Sequence, residues 1–147
     1  MTEYIPQAPT VKQAAFLLLP VIEAFYGGQP GGGKSSALLM AALQYVDVPG
    51  YSALLLRRTY ADLALAGALM DRARSWLAGT DAQWNEQRKI WRFPSGATLT
   101  FGYLENANDK YRYQGSEFQF IGFDEVSQFT EPQYRYLFSR LRRLTGS

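Results

Sequence analysis

A chain of 147 residues that is 47% hydrophobic and 19% charged has the size of one globular domain, and its lack of Cys and His excludes disulfides, Cys or His zinc sites, thiol nucleophiles, Ser-His-Asp triads and imidazole chemistry. Any catalysis must therefore use carboxylates, lysine, arginine, hydroxyls, backbone dipoles or a hard metal ion. The net charge of +2 is too mild to announce a nucleic-acid partner, but it is uneven: Arg135, Arg140, Arg142 and Arg143 against Glu131 concentrate about +3 in residues 126–147.

Pro6, Pro9 and Thr10 mark an irregular lead-in, and Val11 to Leu19 reads as a short helix stopped at Pro20. Glu3 stands where a secretory signal would be cationic, and Pro20 and Glu23 interrupt the richest apolar stretch, Ala14 to Phe25, so neither export nor a membrane span is expected. Val21 to Tyr26 is strand-like and runs into glycines. Leu38, Leu39, Ala42, Leu43 and Val46 then fall at helical spacing over Ser35 to Val46.

Ser52 to Leu56 is a continuous apolar run, as in a strand buried on both faces, and Thr59 is placed to cap a helix over Tyr60 to Leu77. Lys89 to Phe93 and Ala97 to Tyr103, joined by Pro94-Ser95-Gly96, form a predicted hairpin with Leu99, Phe101 and Tyr103 on one face. Asn106 to Gly115 reads as a polar loop and Phe118 to Phe123 as a strand ending at Asp124-Glu125. A last helix is expected from Glu131 to Leu144, with Thr130 and Gln133 as a capping box. Most of Trp76, Trp84, Trp91 and the phenylalanines are expected in the core. Strands alternating with helices predict an α/β fold with a mainly parallel sheet.

Gly28-Gln29-Pro30-Gly31-Gly32-Gly33-Lys34-Ser35 matches G-x-x-x-x-G-K-[ST], the Walker A pattern, between a strand and a helix. Glycines let successive N–H groups converge on phosphate oxygens, and the helix N-terminus adds partial positive charge. Lys34 is suited to the β- and γ-phosphates of ATP and the Ser35 hydroxyl to Mg²⁺. Ser36 has an offset that reaches an α-phosphate, or it is a helix-surface serine. Asp124, at the carboxyl end of a strand, is expected to hold Mg²⁺ and Glu125 to deprotonate the attacking water. Kinases generally need no such glutamate, so the pair favours ATP hydrolysis. Gln13 can meet an adenine edge through its amide or be an exposed helix residue. Arg57 and Arg58 follow the second strand and face DNA or phosphate, or form a basic surface turn.

Together these residues resemble the N-terminal ATPase domain of tailed-phage terminase large subunits. The resemblance covers nearly the whole chain: Lys12 to Phe16, the Walker A region from Tyr26 to Ser36, Leu54 to Leu63 with its arginine pair, Phe93 to Phe101, Tyr113-Gln114-Gly115, the Walker B segment Ile121 to Gln128, and the arginine-rich Leu137 to Arg143. It implies a P-loop NTPase fold of the RecA-like, additional-strand catalytic-glutamate type. It also implies an Mg²⁺-dependent ATPase that drives double-stranded DNA into proheads in the host cytoplasm. The implied partners are a portal protein, a terminase small subunit and copies of the chain in a ring. Gln29-Pro30 stands where the family often has a loop arginine, which leaves Arg57, Arg58 and Arg112 as candidates for that charge. The chain is expected to be an incomplete ATPase domain without its later strands, its coupling motif or the C-terminal nuclease domain. The alternatives are another P-loop DNA translocase or helicase, a non-hydrolysing nucleotide-binding module, and a kinase.

Overall fold

The computed structural model describes residues 23–25, 32–65, 68–124 and 129–142. The predicted helix over Val11 to Leu19 lies outside them. Strand β1 (Glu23–Phe25) is followed by helix α1 (Gly32–Leu43), β2 (Ser52–Arg57), α2 (Tyr60–Ala64), α3 (Leu69–Leu77), β3 (Gln83–Asn85), β4 (Ile90–Arg92) and β5 (Thr98–Tyr103). A 3₁₀ helix (Ala107–Tyr113), β6 (Phe120–Phe123) and α4 (Glu131–Phe138) complete the described chain.

The strands form a single sheet in the order β1-β6-β2-β5-β4-β3. β1, β6, β2 and β5 pair in parallel, whereas β5, β4 and β3 pair antiparallel. The expectation of a mainly parallel sheet is thus corrected to a mixed one. The hairpin edge is responsible, because β3 extends the predicted β4–β5 pair by another antiparallel strand. β1 lies directly against β6, so the additional strand implied by the resemblance is not found between them among the described residues.

β2 explains how the layers assemble. Side chains alternate across a strand, so Ala53 and Leu55 enter one apolar cluster while Leu54 and Leu56 enter another, as the buried run predicts. The first cluster joins the sheet to α1, α2 and α3; the second joins it to Leu104, Tyr113, Phe129 and Leu137, beneath the 3₁₀ helix and α4. Leu99 and Phe101 are buried in the first cluster and Tyr103 packs against it, on the predicted face. Gly96, at φ 95, closes the hairpin turn in a conformation that costs residues with a Cβ.

Four local expectations change. The helix over Tyr60 to Leu77 is two helices: Thr59 does cap the first, accepting from the Asp62 N–H at 3.0 Å, but Leu65 turns extended and ends it. The polar stretch after Glu105 forms the 3₁₀ helix because Asn106 and Asp109 cap its start reciprocally. β3 is an unpredicted strand. The last helix does keep its Thr130–Gln133 capping box but stops at Phe138. There the backbone turns so that the Arg140 carbonyl accepts from the Phe118 N–H at 2.9 Å and the Arg142 N–H donates to the Phe118 carbonyl at 2.8 Å. These bonds make an isolated parallel bridge between Phe118 and Leu141.

The Tyr51 hydroxyl donates to the Ala42 carbonyl in the last turn of α1 at 2.7 Å, satisfying one of the acceptors that a helix end leaves open. Tyr51→Phe is expected to cost about 1 kcal/mol in urea unfolding. Burial, aided by Tyr45, raises the Tyr51 pKa above its ordinary 10.0. The resulting preference for the folded state is fully present below pH 10 and declines as pH rises further, so wild type should lose stability more steeply there than Tyr51→Phe.

Candidate functional site

The carboxyl ends of β2 and β6 meet the first turns of α1. Continuing the alternation of β2 puts Arg57 on the same face as Ala53 and Leu55, the face covered by α1. In β6, Phe120 packs on that face, Ile121 and Phe123 pack on the other, and Asp124 follows on the α1 side. The register pairs Leu56 with Phe123, so Arg57 and Asp124 emerge side by side.

Gly122 allows the helix to come close. A Cβ at this position would lie 2.7 Å from Leu55 Cδ2 and 3.0 Å from Leu38 Cδ2. With that space taken by Leu38 and Leu55, the Ser35 hydroxyl reaches Asp124 Oδ2 at 3.4 Å. The Arg57 guanidinium donates to the same Oδ2 through Nη1 at 2.5 Å. Asp124 is 1% exposed and Arg57 14%, so this ion pair is largely removed from solvent. Such pairs gain little net stability because desolvation offsets attraction, yet removing one partner typically costs about 3–5 kcal/mol.

α1 begins at Gly32, so its first turn brings unpaired N–H groups and partial positive charge to the end of the glycine run. The backbones of Gly32, Gly33 and Lys34 belong to this turn. The Lys34 side chain lies outside the described residues, as do Gln13, Gly28, Gln29, Pro30, Gly31 and Glu125. Among the predicted site residues, therefore, Ser35, Asp124 and Arg57 are the ones seen together.

The donor chemistry fits Mg²⁺. No group of three or more His, Cys, Asp or Glu that could hold a metal occurs among the described residues, but Mg²⁺ commonly takes one or two carboxylates and completes its shell with water and phosphate oxygens. One buried carboxylate beside one serine hydroxyl, at a helix N-terminus, is suited to that mode.

The other candidates separate. Ser36 is buried rather than on the helix surface, and its hydroxyl accepts from Arg72 Nη1 in α3 at 3.2 Å. No spacing in the sequence marks Arg72 for this contact. Arg58, one residue beyond Arg57, points to the opposite face and donates to the Leu104 carbonyl. That carbonyl also accepts from Gln133 Nε2 at 3.2 Å. Arg112 pairs with Asp109 at 3.2 Å and lies over the Tyr103 ring at 4.4 Å. Of the three arginines expected near phosphate, only Arg57 is at Asp124.

Residues 25–145 match the family model described as the terminase large subunit, T4likevirus-type, N-terminal. The chain belongs to this terminase family. The large terminase from a thermophilic bacteriophage is similar in fold, with a TM-score of 0.61 and 18% sequence identity over 91% of this chain and 36% of that one. The chain thus spans about a third of the length of that terminase. No curated protein matches it in sequence.

This terminase domain also has a cavity of about 730 Å³ over the hairpin, away from the carboxylate, lined in part by Arg92, Thr98, Thr100, Tyr103 and Arg112. Its size does not make it the nucleotide site, because Ser35, Arg57 and Asp124 do not line it. No helix of the described terminase residues is long and apolar enough to cross a membrane.

Proposed function

We propose that the chain is the ATP-binding and ATP-hydrolysing part of a terminase large subunit, with a P-loop NTPase fold of the RecA-like type, and that it powers translocation of double-stranded DNA into proheads. The observation that carries this reading is the meeting of Ser35, at the end of the Walker A pattern, with the buried carboxylate of Asp124 at the end of a parallel strand. Ligands of open α/β sheets bind at that edge.

The backbone N–H groups of the glycine loop, Pro30 having none to give, would surround the phosphates, with Lys34 neutralising the β- and γ-phosphates and Gln13 holding the adenine edge. Ser35 and Asp124 would hold Mg²⁺, which when bound spreads the charge developing on the phosphate oxygens. Glu125 accepts a proton from the water that attacks the γ-phosphorus. Double-stranded DNA, a portal protein, a small subunit and further copies of the chain in a ring, all in the host cytoplasm, are the partners of this proposal.

Phosphate release from Mg-ATP, measured with and without double-stranded DNA, tests it. Turnover that requires Mg²⁺ and rises with DNA is the expected result. Strand separation would move the reading to a helicase, and Mg-ATP binding without phosphate release would move it to a non-hydrolysing module.

A further inference from the structure

We propose that Arg57 is a built-in competitor of the divalent cation: its guanidinium occupies Asp124 Oδ2 while the cation is absent and must release that oxygen before the cation can be held. This inference rests on the nucleotide-site reading above. Its basis is the position of three groups around one atom, since Asp124 Oδ2 takes both the Ser35 hydroxyl at 3.4 Å and Arg57 Nη1 at 2.5 Å. A buried carboxylate without a counter-charge is costly, and Arg57 supplies that charge from a neighbouring strand of the same sheet.

Among the described residues the Arg57 side chain makes no further hydrogen bond. Its Nε is buried and has no hydrogen-bond partner among the described residues, so the guanidinium is held at Asp124 through one end only. A purely structural arginine would satisfy several of its five donors. One strong contact and one unsatisfied donor suit a group that exchanges partners. Arg58 provides the contrast, because its contact with the Leu104 carbonyl lies on the opposite face of the sheet.

Competition and support predict opposite signs. If Arg57 competes, Arg57→Gln should bind Mn²⁺ about tenfold more tightly than wild type in the nucleotide-free full chain, because a charge-assisted hydrogen bond no longer has to be broken. Electron paramagnetic resonance of free Mn²⁺ gives the affinity. Arg57→Lys should be intermediate, and Asp124→Asn combined with Arg57→Gln should lose the tight site. Equal or weaker Mn²⁺ binding by Arg57→Gln overturns the inference, as does tight binding that survives in the double variant. Should Arg57→Gln not fold, the wild-type Arg57 Nε–H resonance serves: it should shift on addition of Mg²⁺ and a non-hydrolysable ATP analogue, and an unchanged resonance in the loaded protein overturns the inference. Wild type that binds Mg-ATP without either Arg57 effect leaves the nucleotide reading standing. Wild type that binds no Mg-ATP defeats both.

Discussion

Glu125→Gln is expected to keep Mg-ATP affinity within about twofold of wild type while lowering phosphate release by roughly a hundred- to ten-thousandfold, the range for loss of a general base. Lys34→Ala should fail at the earlier step and lose measurable binding, because in the proposed site the ammonium would neutralise phosphate charge in ground state and transition state alike. Calorimetric titration and phosphate release, applied to both variants, separate the two roles. Equal hydrolysis by wild type and Glu125→Gln would remove Glu125 from water activation. The contrast depends on the proposal that Asp124 is the metal-side carboxylate, a reading its burial on the α1 face beside Ser35 supports.

Gly122→Val should lower stability substantially through packing alone. Even a single Cβ would meet Leu55 and Leu38 well inside contact distance, and both neighbours are fully buried, so neither can move away into solvent. Overpacking of this kind costs about 3 kcal/mol, at the upper end of its usual range. For a domain of this size the corresponding fall in Tm is roughly 6–12 °C. Differential scanning calorimetry measures it, and a fall below about 2 °C would mean that α1 can rise from the sheet without penalty. Lifting α1 would also withdraw Ser35 from Asp124, so the ordering of Mn²⁺ affinities should follow the ordering of stabilities at Gly122.

Much of the architecture is legible in the sequence because it depends on short-range pattern. The run Ala53 to Leu56 announces a strand with no solvent face, and both clusters take side chains from it. The hairpin is legible from Pro94-Ser95-Gly96, whose glycine does adopt positive φ. β3 is not, because its turn into β4 places Lys89, not glycine, at φ 59. The 3₁₀ helix escapes for a related reason: Asn106 and Asp109 are turn residues by type, and only their reciprocal bonds turn them into a cap.

At the site, Asp124 and Ser35 are legible from motif and context. The Arg57–Asp124 pair is not, since the two residues lie 67 positions apart and meet through the register of β2 against β6. Nor does adjacency in sequence reveal that Arg57 and Arg58 part company across the sheet; alternation does, once the strand is known to continue through Arg57. Gln13, Glu125 and the Lys34 side chain lie outside the described residues, and their roles rest on the motif and the family resemblance.

The bridge between Phe118 and Leu141 couples the two ends of the described site-bearing layer through β6. One end of this strand leads into Asp124, and just before its other end Phe118 is fastened to the backbone of Arg140 and Arg142 by two hydrogen bonds. Four strand residues span roughly 13 Å. Because β6 is held in register by β1 and β2 on both edges, this bridge fixes the Arg140–Arg142 segment to the same rigid strand that carries the buried Asp124.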